Sequence, residues 1–172
     1  MESLEYNGKM YFRYTNKWVD ENNMVVHLSL QHELNGLYAN SLDLSGMSPQ
    51  ELVNEGDKYK KDESYLLAIR FYEEALDSCD KKTFKYILPR ISSCYRKAHS
   101  PQKAIDLFAK TKKNFGVEML TPVLLTTAAA AYCDLCEFEN AEKCARRAYA
   151  LCNGNCSDEL VSVLARIKKH KN

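Results

Sequence analysis

The stretch SPQELVNEGDKYKKDESYLLAIRFYEEALDSC, residues 48–79, decides how the chain is read. Ser48 and Glu51 stand at capping-box spacing, and Pro49 falls on the first helical position, where its missing N–H costs nothing. A helix therefore starts at Pro49. Leu52, Gly56 and Tyr59 follow at the spacing L-x3-G-x2-Y. Ala68, Tyr72 and Ala75 then take A-x3-F-x2-A, with Tyr72 in the aromatic place. Small residues at 56 and 68 let two helices approach closely, and the tyrosines fill the space beside them.

The same places recur twice. In LPRISSCYRKAHSPQKAIDLFAKT they are held by Ser92, Tyr95, Ala104, Phe108 and Thr111, and in LLTTAAAAYCDLCEFENAEKCARRAYA by Ala129, Tyr132, Ala141, Ala145 and Ala148. Aligned on Ala68, Ala104 and Ala141 the periods are 36 and 37 residues. The pattern resembles the tetratricopeptide repeat, a helix-turn-helix of about 34 residues. It departs in having no Trp in any first helix and in placing Pro89 inside the second one, where it is expected to kink that helix or mark its start. Ser157 then opens SDELVSVLARIKKHK, with acids in the first turn and bases in the last, which reads as the terminal helix that solubilises such an array.

The fold expected is mostly α. Three tetratricopeptide-like repeats, at about 49–82, 85–118 and 122–155, precede a capping helix at about 157–170. Residues 1–48 differ in kind. KMYFRYTNKWVDENNMVVHL is aromatic and β-branched with polar breaks, so it reads as two or three short strands. SLQHELNGLYANSL places Leu30, Leu34, Leu37 and Tyr38 on one helical face. This small α+β module is too short to be secure alone and is expected to cap the first repeat.

The formal net charge is +1 over 172 residues, which argues against a general nucleic-acid binder. No apolar run reaches the ~18 residues of a membrane span, and no basic-then-apolar leader is present. A cytoplasmic protein with no membrane partner is expected. Its seven cysteines are an odd number, as suits thiols in a reducing compartment.

Five of those cysteines lie in YCDLCEFENAEKCARRAYALCNGNC, residues 132–156, at the spacing C-x2-C-x7-C-x7-C-x3-C. A zinc ribbon is the first thought. In repeat register, however, a helix from about Phe138 to Asn153 separates Cys133 and Cys136 from Cys152 and Cys156 by roughly 20 Å. Four thiolates cannot meet one zinc across that distance. With no His in the repeat, the reading is free thiols and no metal.

Phosphate-binding loops, dinucleotide fingerprints, zincin helices and nucleophile elbows are all absent from the sequence, so no catalytic residues and no cofactor are assigned. The resemblance supplies the function instead. Tetratricopeptide arrays hold a peptide or protein segment in the groove lined by their first helices. By register that groove presents Asn54, Asp57, Lys60 and Lys61, then Tyr86, Arg90, Ser93 and Lys97, then Val123, Thr126, Thr127 and Ala130. Its basic centre suits a segment carrying an acidic residue. A non-enzymatic adaptor or regulator is the favoured reading. The alternative is an accessory nucleic-acid-associated protein using Lys60, Lys61, Arg90, Arg96 and Lys97. An enzyme sited in the N-terminal module stands third. The aromatic segment with Tyr11, Phe12, Tyr14 and Trp18 reads as strand core, as a ligand platform or as a self-association patch.

Overall fold

The structure, a computed structural model, describes residues 2–171. It is mostly helical with a small antiparallel sheet at the N-terminus. The chain divides into two compact units, Met1–Cys79 and Asp80–Asn172.

In the first unit β1 (Glu2–Tyr6), β2 (Lys9–Tyr14) and β3 (Lys17–Val19) form a sheet in the order β1-β2-β3. Asn7 and Gly8, both at positive φ, make the two-residue turn between β1 and β2. That turn matches the strand twist and fixes the register Tyr6 to Lys9, Leu4 to Tyr11 and Glu2 to Arg13. Helix α1 (Leu28–Ser41) covers one sheet face. Trp18 is fully buried there, its indole N–H donating to Asn35 Oδ1 at 2.9 Å and its ring edge-on to Tyr38. Gln31 acts as a substitute strand. Its Oε1 accepts from Trp18 N and its Nε2 donates to Trp18 O, both at 2.7 Å.

Helices α2 (Pro49–Lys61) and α3 (Tyr65–Ser78) follow as an antiparallel pair. Both halves of the Ser48/Glu51 capping box are formed. At Gly56 the two helices approach closely, since a Cβ there would lie 2.7 Å from the ring of buried Tyr72. The sheet is fastened to this pair by a buried cation. Arg13 Nη1 donates to Glu2 Oε2 at 2.6 Å and Nη2 to Ser64 Oγ at 2.8 Å, while the guanidinium sits 5.3 Å from the Tyr59 ring centroid. Tyr59 closes the cluster by donating to Glu2 Oε1. Burial first, and then the Glu2 carboxylate, push the Tyr59 hydroxyl well above the usual tyrosine range. With α1 also against α3, the N-terminal module caps the first helical pair.

The second unit contains α4 (Lys81–Lys97), α5 (Pro101–Phe115), a 3-10 turn (Val117–Met119), α6 (Pro122–Asp134), α7 (Phe138–Leu151) and α8 (Asp158–Lys171). Pro89 does not mark the start of α4. Asp80 caps it, accepting from Thr83 N, and the helix runs on through Pro89 to Lys97. Helix α6 touches α4, α5, α7 and α8 and is buried continuously from Leu124 to Ala131, which explains why it is apolar on every side. Ser157 caps α8 by accepting from Leu160 N, and Leu160, Val163 and Ile167 point into the core.

Three helical pairs share one turn. The residue four places after the tyrosine has positive φ, namely Glu63, His99 and Cys136. The next N–H returns to the tyrosine carbonyl, from Ser64 to Tyr59, Ser100 to Tyr95 and Glu137 to Tyr132, each at 2.8 Å. Because the first helix ends on this reversal, the second can fold back against it. The periodic tyrosines of the sequence are thus repeated acceptors as well as repeated fillers.

Candidate functional site

In the second unit the candidate face begins on α4. Tyr86 and Arg90 are four residues apart and so lie one above the other. The Arg90 guanidinium carbon stands 3.4 Å from the Tyr86 ring centroid, and Nη1 donates to Tyr86 O at 3.1 Å. Tyr86 is 42% exposed, so the cation is held over an aromatic residue that solvent still reaches. Ser93 is half-buried and Lys97 is exposed on the following turns.

Of the α6 positions only the first is exposed. Val123 is exposed, and the 37-residue register makes it the equivalent of Tyr86. Thr126 and Thr127 are buried, their hydroxyls donating back to Pro122 O and Val123 O, and Ala130 is buried with them. These three lie inside the packing of α6 and offer a ligand no surface.

In the first unit Asn54 is exposed and bonded to Gln50, and Asp57 accepts from the Tyr72 hydroxyl. Lys60 is half-buried and Lys61 exposed. Asn54 also lines an open depression of about 340 Å3 with Gly46, Met47, Glu51 and Glu55. The aromatic segment is divided in role: Tyr11 and Trp18 are core, Phe12 is half-buried and Tyr14 is exposed. Trp18 therefore has no face to give a ligand.

Arg96 is committed inside the second unit. Its Nε donates to Asp134 Oδ2 at 2.9 Å and its Nη1 to Glu159 Oε1 at 2.7 Å, and Arg166 reaches the other Asp134 oxygen. The network ties α4, α6 and α8 together, and it removes Arg96 from any phosphate-binding set.

The thiols follow the helices. Cys133 is buried on α6, and its pKa is raised by that burial; Cys136 is the positive-φ residue of the third turn. Cys144 is half-buried on α7, Cys152 caps that helix and Cys156 lies before α8. Among the described residues no group of three or more His, Cys, Asp or Glu is placed to hold a metal. No helix among them is long and apolar enough to cross a membrane.

Charge distribution is the feature that a division of the chain at residue 48 conceals. The first unit carries 7 Lys/Arg against 14 Asp/Glu, the second 17 against 9, giving −7 and +8. The signal lay in the sequence, and it emerges only when the boundary is drawn at Cys79. Against known proteins, no family model and no curated protein matches the chain.

Proposed function

We propose that the protein is a non-enzymatic interaction module of tetratricopeptide type, working as an adaptor or regulator in the cytoplasm and holding an acidic segment of a partner protein on the exposed face of α4. The observation that carries this reading is the Arg90–Tyr86 stack. The stack sets a positive charge over a ring that solvent still reaches, so the charge draws an acidic partner while the ring supplies apolar area at low entropic cost. The recurring tyrosine turn and the repeat spacing support the family reading.

The test is to place a photo-crosslinking residue at Tyr86, identify the partner segment captured, and measure its affinity for the unlabelled protein. Arg90→Glu should weaken that affinity by about 2 kcal/mol, or roughly thirtyfold, and Tyr86→Ala by less, with helicity unchanged. Wild-type affinity in both variants would overturn the reading. The alternative, an accessory nucleic-acid-associated protein, draws on the +8 of the second unit. Retention on single-stranded oligonucleotide that falls steeply with salt, and is lost in Arg90→Glu, would favour it.

A further inference from the structure

One end of the second unit is basic and aromatic. Phe84 on α4 and Phe115 at the close of α5 meet with ring centroids 4.9 Å apart, and Phe115 is 43% exposed. Gly116, at φ 73, turns the chain so that Val117 beside it is 57% exposed. Five exposed lysines surround this tip: Lys81, Lys82 and Lys85 from the first turns of α4, and Lys112 and Lys113 from the last turn of α5. Two acids lie beside them, Asp80 at the cap of α4 and Glu118. Glu118 is ion-paired to Lys81 at 2.5 Å, and Lys81 first, then Lys85, hold its carboxyl below the usual range.

The complement of this tip is carried by the same chain. The first unit has a net charge of −7, and its open depression combines an apolar wall, Met47, with the carboxylates of Glu51, which also accepts from Ser48, and Glu55, which also pairs with Lys58 at 3.1 Å. A cationic, aromatic tip and an open, anionic depression with an apolar wall are complementary in charge and in polarity. Lysine stems can lie along Met47 while their ammonium heads meet the carboxylates. Every copy carries both surfaces, so tip and depression are always present in equal amounts.

We propose that the Phe84/Phe115 tip of one molecule docks on the Met47/Glu51/Glu55 depression of a second copy, giving head-to-tail self-association. Such a contact is heterologous: in an open pair each molecule keeps one unused surface, so further copies can add to it.

The experiment is sedimentation of the full chain over a concentration series. At about 50 mM salt the average mass should rise with concentration above that of a monomer, and at about 500 mM it should return towards monomer. Lys112→Glu/Lys113→Glu should weaken association at least about tenfold, as should Asn54→Lys/Glu55→Lys from the other side. Mixed in equal amounts, the two should associate again, because each supplies the surface the other has lost. If the first variant folds poorly, Lys82→Glu/Lys85→Glu replaces it, since acids at a helix N-terminus are favourable there. Lys168→Glu/Lys169→Glu, the same change of charge on α8, is the control and should associate like wild type. A wild-type protein that stays monomeric at low salt overturns the proposal. So does a mixture that fails to recover, or a control that is weakened equally. Binding of the tip to anionic vesicles or to oligonucleotide without self-association would give it to another occupant and also overturn it.

Discussion

The two units complete the same helical pair in opposite ways. In the first, α2 and α3 are closed by a sheet pinned through a buried cation, and the surface is strongly acidic. In the second, two pairs are closed by another helix, α8, over an alanine-rich core, and the surface is strongly basic. The difference teaches that the tyrosine turn specifies only the local hairpin. What covers a hairpin's remaining face is decided by neighbouring segments, and each solution carries its own energetics.

The sharpest way to break the comparison is to remove the pin. Arg13 is 6% exposed, and losing it strips Glu2 of its ion pair, Ser64 of its donor and Tyr59 of the nearer of two cations. Arg13→Ala should cost about 3 kcal/mol in denaturant unfolding followed by Trp18 fluorescence. Arg13→Met should cost less, because Arg13 Nε already lacks a partner among the described residues and the methionine would keep much of the packing. If Arg13→Ala unfolds at the wild-type midpoint, the sheet is not held by this cluster.

Close approach within the pairs comes next. Gly56→Ala forces a Cβ to 2.7 Å from Tyr72 in the first unit, and Ala104→Leu overfills a site 1% exposed in the second. Each should cost roughly 1 to 3 kcal/mol, whereas Lys112→Ala, on an exposed side chain, should be near neutral. Equal denaturation midpoints for all three would show that the small positions are not where the helices cross.

Much of this was legible in the sequence because the chemistry is local. The capping box, the small residues at 56, 68, 104 and 141 and the three tyrosines are each read within one turn or one hairpin. Long-range effects were not. Pro89 hid the true start of α4 because the decisive cap, Asp80, lies nine residues earlier. Thr126 and Thr127 read as groove positions because nothing in their own spacing reveals how fully α6 is enclosed by four other helices. On α4 the spacing alone implied that Tyr86 and Arg90 meet, whereas on α6 the spacing could not show that Thr126, Thr127 and Ala130 are enclosed. The buried Arg13 had no local signal, since its partners lie 11 and 51 residues away.

A gentler perturbation is Arg96→Ala, which cuts the ion network of the second unit. That network is more exposed than the Arg13 cluster, so the cost should be about 1 kcal/mol and should shrink at high salt. A loss as large as that of Arg13→Ala would erase the contrast between a pinned unit and an apolar one. The smallest effect has the opposite sign. Glu63, His99 and Cys136 pay for a left-handed backbone that glycine adopts freely. Cys136→Gly should raise stability by about 0.5 to 1 kcal/mol, and His99→Gly likewise, as read from melting temperature. A drop in both would mean that these side chains hold the turn in some further way.

The most direct test of the central claim, that three copies of one hairpin underlie both units, is amide hydrogen exchange at Ser64, Ser100 and Glu137. These N–H groups follow a positive-φ residue and donate to Tyr59, Tyr95 and Tyr132. We expect all three to exchange at least about a hundredfold more slowly than free-chain amides, despite lying in turns. Exchange at free-chain rates at these positions would contradict the shared turn, and with it the repeat register on which the α4 face is placed.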